Sequence, residues 1–191
     1  MSDHWRSVIV TFIAVLVVSF LLNAGADSLI ASAGLVPSLL GLIVIILIGV
    51  VFDMVGTAVA AAEEAPLHAM AGDKVPGAKQ AIWLTRNADS VASLCNDVIG
   101  DICGTLAGAA AATIAYRLST TSYFLRVFMA AMAAALTIGL KRAEKSFALG
   151  KATDIIYFVG KMIFYFEKAT GMKITSTTKN NQKRKNRNGQ H

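Results

Sequence analysis

Leu39-Leu-Gly-Leu-Ile-Val-Ile-Ile-Leu-Ile-Gly-Val-Val-Phe52 holds no polar side chain, and the residue that follows it is Asp53. A hydrocarbon core about 30 Å thick is crossed by about 20 residues of helix. With its flanks the run reads as a crossing over residues 35–62, with Pro37 near the start, where a helix tolerates proline. An ionisable group inside a bilayer costs about 2.5–3.5 kcal/mol on insertion scales and is usually functional or paired. Further along, a second membrane-like stretch contains Asn96, Asp97 and Asp101. Acids on two separate crossings point to one shared polar site.

Composition sets the class. The chain has 191 residues, 55% of them hydrophobic, and a mean hydropathy of +0.57. Soluble domains hold about 45–50% apolar residues. Here the excess lies in long blocks, which indicates an all-α, polytopic integral membrane protein with no separate soluble module. The net charge of +6 would suggest a nucleic-acid partner, but 12 of the 18 Lys and Arg residues lie at or beyond Lys141. That asymmetry is the positive-inside pattern of a cytoplasmic C-terminus, so no nucleic acid is expected as partner. Cys95 and Cys103 are the only cysteines. On one helix their Cα atoms would lie about 12 Å apart, beyond the reach of a disulfide. At the N-terminus, Ala24-Gly-Ala26 resembles a signal-peptidase site. The weakly charged start and the return of apolar residues at Leu29-Ile30-Ala31 favour a retained helix instead.

Four crossings are expected, at residues 7–30, 35–62, 91–116 and 123–140. The linker 23–34 lacks Lys and Arg and is placed outside, as is 117–122. Residues 63–90 carry Lys74, Lys79 and Arg86 and are placed inside. Both termini then lie in the cytoplasm, with the chain in a prokaryotic plasma membrane. Within the inner segment, residues 58–71 and 78–86 are expected to be helical, with Pro66 opening a helix after a kink. Gly72-Asp-Lys-Val-Pro-Gly77 is a turn by composition, so the segment folds as a cytoplasmic helical hairpin. Residues 141–168 place Glu144, Lys151, Asp154, Lys161 and Lys168 along one face, with Phe158, Met162 and Phe166 among the apolar remainder. That predicts an amphipathic belt helix in the membrane interface, its lysines snorkelling to headgroups. Residues 171–191 read as a basic, disordered cytoplasmic tail. Its Lys183-Arg-Lys185 adds affinity for anionic lipid. Membrane lipids are therefore expected partners.

Two constellations could carry chemistry. Asp53 and Thr57 share a helix face, and Gly56 weakens the helix between them. An unwound turn there would free carbonyls that, with hydroxyls and carboxylates, suit a hard cation. The alternative is a helix end with Asp53 at the water interface. Asp97 and Asp101 share a face of the third crossing, and Gly100, Gly104 and Gly108 form a small-residue stripe that admits a neighbouring helix. The alternative there is packing alone, with the acids favoured by the helix dipole. Glu63 and Glu64 would recruit cations or simply be solvated. His68 is isolated, so a zinc site is not expected. No Walker loop, dinucleotide fingerprint or serine elbow occurs, and an enzyme is not expected.

The order of these pieces resembles the transmembrane domain of the cyclin-M and CorB/CorC magnesium transporters. In that family a hydrophobic helix ends in Phe-Ser-x-Ser-Glu-Thr-Ala; the matching stretch is Phe52-Asp-Met-Val-Gly-Thr-Ala58. A helical hairpin follows, with Gly77-Ala-Lys-Gln-Ala-Ile-Trp-Leu84 matching its glycine and alanine-rich helix. Asn96-Asp97 corresponds to a Gly-Asn-x-like motif opening a membrane helix, and 141–168 to a belt helix. Asp53, Val55 and Gly56 depart from the family's Ser, Ser and Glu. The family's Gly-Glu-x-x-Pro-Lys is not kept at Gly139-Leu140, where Glu144-Lys145 matches it only loosely. The paired CBS domains and the C-terminal accessory domain have no counterpart. The resemblance divides the chain into an additional N-terminal helix and outer linker (1–34), a cyclin-M/CorC-like domain (35–170) and the tail (171–191). It implies a homodimer and transport of Mg²⁺, with Co²⁺ as a second substrate. By position it implicates Asp53, Thr57 and Asn96, to which the residues themselves add Asp97 and Asp101. An oxygen-only set of this kind suits Mg²⁺ with retained waters. The competing expectation is a non-transporting membrane protein that uses the same fold to bind a lipid or an unidentified protein partner.

Overall fold

Backbone polar groups in hydrocarbon find no water and must be satisfied within the chain, which makes a crossing segment helical. The computed structural model describes residues 2–32, 34–118 and 123–171, and among these there are helices and no strand. In chain order they are α1 (Ser2–Ser32), α2 (Leu35–Ala61), α3 (Glu64–Gly72), α4 (Ala78–Arg86) and α5 (Ala88–Ser93). A π-helical stretch, Leu94–Gly100, leads into α6 (Asp101–Leu118), followed by α7 (Tyr123–Gly150) and α8 (Ala152–Thr170). Three segments among the described residues are long and apolar enough to cross a membrane: Val8–Gly25, Leu35–Ala61 and Ala88–Arg117.

The residues group into two units, one from positions 1–54 and 93–147, the other from 55–92 and 148–191. In the first unit α1 packs on α6. The α2–α6 contact follows one stripe of α2. Ile46, Gly49 and Asp53 are buried and Leu39 and Leu42 half-buried, while Leu40, Ile43, Val44, Leu47, Ile48, Val51 and Phe52 point outward. The inward residues recur at alternating spacings of three and four, the coiled-coil seam. Leu39 and Leu42 pack against Ala110 and Ile114. A Cβ at Gly49 would lie 2.9 Å from Cys103 Cβ, and a Cβ at Gly100 would run into Asp53 Oδ1. Rising numbers on α2 meet falling numbers on α6, so the two helices are antiparallel and close enough to need glycine at both places.

In the second unit α3 and α4 pack on each other and both on α8. Gly77 is left-handed, with φ 91°, and its carbonyl would sit 2.6 Å from a Cβ at Gly160. Glycine at both positions lets α4 lie against α8 nearly backbone to backbone. Gln80 Nε2, buried there, donates to Glu167 Oε2 at 2.8 Å.

Three boundaries differ from expectation. First, α1 runs through the expected outer linker to Ser32. Gly25 alone costs only about 1 kcal/mol in a helix, and no proline intervenes to stop it. Second, no helix starts at Lys141. Residues 141–150 continue α7, and the break falls at Lys151, whose φ −128° and ψ 29° are not helical. Nothing between Leu140 and Lys141 interrupts the backbone, whereas Gly150 weakens the helix just before Lys151. Third, the Leu94–Gly100 stretch widens from α to π geometry, a feature that apolar patterning does not encode. The expected tail lies outside the described residues except for Gly171.

Candidate functional site

The buried carboxylate of Asp53 has a partner within its own unit. Lys141 Nζ lies 2.6 Å from Asp53 Oδ2 and donates a second, longer bond of 3.4 Å to the carbonyl of Gly100. Three pieces of backbone bring these groups together. The α2 stripe turns Asp53 toward α6. Gly100, ending the π-helical stretch, has no side chain and leaves room for the carboxylate. The C-terminal half of α7 reaches in with Lys141. A π-helical turn disturbs the regular backbone bonding and is frequent at functional sites. Here the carbonyl that closes it accepts from an ammonium.

Two further oxygens belong to this unit. Asn96 Oδ1, on the π-helical stretch, and Glu144 Oε2, on α7 one turn beyond Lys141, are both buried and accept no hydrogen bond. Leaving such an acceptor unmade costs about 1–3 kcal/mol. Glu144 lies past the expected fourth crossing. Burial, reinforced by the negative charge of Asp53, pushes its carboxyl up to about 6, while Lys141 and Lys145 pull the other way. Asp53, Lys141 and the Gly100 carbonyl are thus in direct contact, and Glu144 feels the charges of Asp53 and Lys141.

The residues expected to form the site have different surroundings. Asp53 is 8% exposed and paired. Asn96 is half-buried with its Oδ1 unpaired. Asp97 is exposed and accepts from Ser93 Oγ at 2.8 Å, and Asp101 is exposed at the start of α6. Thr57, half-buried, belongs to the second unit. Among the described residues no three His, Cys, Asp or Glu side chains gather as a metal cage, so Asp53, Asp97 and Asp101 do not form one. A Cβ at Gly104 or Gly108 would meet nothing within 4 Å, and both glycines line a cavity of about 260 Å³ with Ala133, Thr137 and Lys141. Of the glycine stripe, only Gly100 makes a close approach.

Lys141 and Glu144 were not among the expected site residues. The signal for them is positional. The expected topology puts Asp53 in the inner half of one crossing, Asn96 near the inner start of another and Lys141 just past the inner end of a third, all toward the same side of the membrane.

In the second unit, Glu64 accepts from His68 at 3.1 Å and pairs with Arg86 at 3.4 Å. The His68 hydrogen bond, helped by Arg86, holds the Glu64 carboxyl below its usual range. The group is exposed, and pairs of this kind contribute little to stability.

No family model, curated protein or solved structure matches the chain.

Proposed function

We propose that this protein carries a hard divalent cation across a membrane, Mg²⁺ in chemical class with Co²⁺ as a second substrate. The observation that carries the reading is the pair of buried oxygens without hydrogen bonds, Asn96 Oδ1 and Glu144 Oε2, in the unit that also buries the Asp53 carboxylate. Such oxygens are costly unless a cation or a donor meets them. Mg²⁺ takes oxygen ligands, keeps several waters and uses one or two carboxylates, whereas softer metals call for sulfur or imidazole. In this reading Asp53 and Glu144 supply the charge, and Asn96 and the Gly100 carbonyl supply neutral oxygens. Asp97 and Asp101 act from the exposed face as attracting charges. The resemblance to the cyclin-M and CorB/CorC domain supports the same class.

The N-terminal part of α7 makes a fourth crossing, with α3, α4 and the amphipathic α8 at the cytoplasmic surface. Both termini are inside, and the chain works as a homodimer in a prokaryotic plasma membrane.

The test is flux into proteoliposomes that hold a Mg²⁺-sensitive dye. Wild-type protein is expected to pass Mg²⁺. Asp53→Asn and Glu144→Gln are each expected to slow it by about tenfold or more, as loss of a ligand does, and Asp97→Ala, which removes only an attracting charge, to slow it less than either. A silent wild type favours a second reading, a membrane interaction protein that does not transport. One observation supports that alternative: the Lys141 ammonium already neutralises Asp53.

A further inference from the structure

We propose that Lys141 is the resident cation of this centre, a tethered ammonium that a divalent ion must displace from Asp53, and that it thereby sets the affinity and selectivity of the site. The inference rests on the cation reading above and assigns a role that reading leaves open.

The geometry of the ammonium is the first support. It contacts one carboxylate oxygen, Asp53 Oδ2, and one backbone carbonyl, Gly100 O. Those are two of the ligand types a hard cation takes. A divalent ion and the ammonium cannot both use them, because like charges at that separation repel strongly in a poorly polarisable surround.

The second support is that the lysine can leave. The Lys141 side chain is 27% exposed and that of Asp53 12%, so the ammonium approaches from the more open side of a more deeply held carboxylate. Beside it lies the cavity of about 260 Å³ walled by Gly104, Gly108, Ala133 and Thr137. A Cβ at Gly104 or Gly108 would meet nothing within 4 Å. The methylene arm of the lysine can lie along these small, mostly apolar residues while its ammonium turns out through the open side, away from Asp53 and without moving either helix.

Selectivity follows from charge counting. A monovalent ion that displaces the ammonium brings no more charge than it removes, and it must also meet the cost of moving the arm. A divalent ion brings twice the charge to two carboxylates, Asp53 and Glu144. Lys141 therefore discriminates against Na⁺ and K⁺ by making every substrate compete, which is specificity through an element that opposes the wrong ligand. It also weakens apparent Mg²⁺ affinity by the fraction of time the ammonium is in place.

The test uses the full chain in detergent with MgCl₂ as probe. In Lys141→Met, calorimetry is expected to give a Kd for Mg²⁺ lower by about tenfold or more than in wild type, together with measurable Na⁺ binding. In wild type, reductive methylation followed by mass spectrometry is expected to find the Lys141 amine more reactive at saturating MgCl₂ than without it. Equal or weaker Mg²⁺ binding in Lys141→Met, or a Lys141 reactivity that ignores Mg²⁺, overturns the inference. If Lys141→Met does not fold, the wild-type reactivity decides. A wild type that passes Mg²⁺ while Lys141 stays unresponsive sinks this inference and leaves the transport reading standing. Tight Mg²⁺ binding in Lys141→Met by a protein whose wild type passes none supports the inference and sinks transport. If neither protein binds Mg²⁺, both fall.

Discussion

At the scale of the residue, position 100 is decided by the space of a single methyl group. A Cβ there would overlap Asp53 Oδ1, and the carboxylate is already held on its other side by Lys141. Gly100→Ala must push Asp53 off its partner. Overpacking costs about 1–3 kcal/mol, so thermal unfolding in detergent should show a clear loss, and a wild-type midpoint would refute the packing described. Glu144 gives a prediction with a pH sign. Its folded value, about 6, lies above the ordinary 4.5. The folded state therefore binds the proton more tightly, and the contribution of this group to stability is full below 4.5 and lost as pH rises through 6. In chelator, Glu144→Gln should be more stable than wild type at pH 7.5, and the gain should vanish near pH 4.5. For a carboxyl partly open to solvent the effect is on the order of 1 kcal/mol, about 2–4 °C in a chain of this size. Asp53 was legible in the sequence because an acid closing an apolar run stands out. Lys141 and Glu144 were not, because a lysine just past a crossing has a sufficient explanation in the positive-inside rule, and an acid among lysines reads as an interfacial face.

At the scale of the element, α2 shows why periodicity fails in a membrane. Leu39, Leu42 and Ile46 face protein, and Leu40, Ile43, Val44 and Leu47 do not. Both faces are apolar, so hydropathy carries no 3.6-residue signal. What marks the buried stripe is size and charge, at Gly49 and Asp53. The same blindness explains the Gly100, Gly104 and Gly108 stripe, of which one member packs and two line a cavity. The π-helical stretch left no trace in the pattern at all. The antiparallel α2–α6 seam makes its own prediction. In Gly49→Cys the new thiol stands beside Cys103, since the two Cβ positions lie 2.9 Å apart and small shifts reach the 3.5–4.5 Å of a disulfide. Mild oxidation should join positions 49 and 103, with Cys95 left free. Joining 49 to 95 instead would contradict the register.

At the scale of the whole molecule, the class was readable from composition, because 55% hydrophobic residues in long blocks leave little choice but lipid. Helical content and three apolar spans agree with it. The division into two units was not readable. It depends on glycines at 77 and 160, distant in sequence, that let α4 and α8 touch. Basic residues concentrate toward the C-terminus, and the stretch around Ser32 has none. In intact cells, a cysteine placed at Ser32 should react with an impermeant maleimide from outside, and one at Thr170 only after permeabilisation. Labelling of Ser32→Cys from the cytoplasmic side alone would reverse the orientation.

The Asp53–Lys141 bridge has a consequence for registration. Two helices greasy on every side gain almost nothing in lipid from one axial alignment over another, since tails solvate leucine as well as leucine does. Sliding α2 by one heptad would bring Ile46 beside Gly100 and strand Asp53 without its lysine. Breaking a fully buried pair costs about 3–5 kcal/mol, and breaking this one, whose lysine is partly open, costs less. The bridge is thus a detent that gives a smooth rod one resting position, as a lone asparagine does in a coiled coil. With Asp53→Leu added to Gly49→Cys, insertion should persist while the 49–103 cross-link loses yield, as the rod, freed of its catch, samples more than one stop.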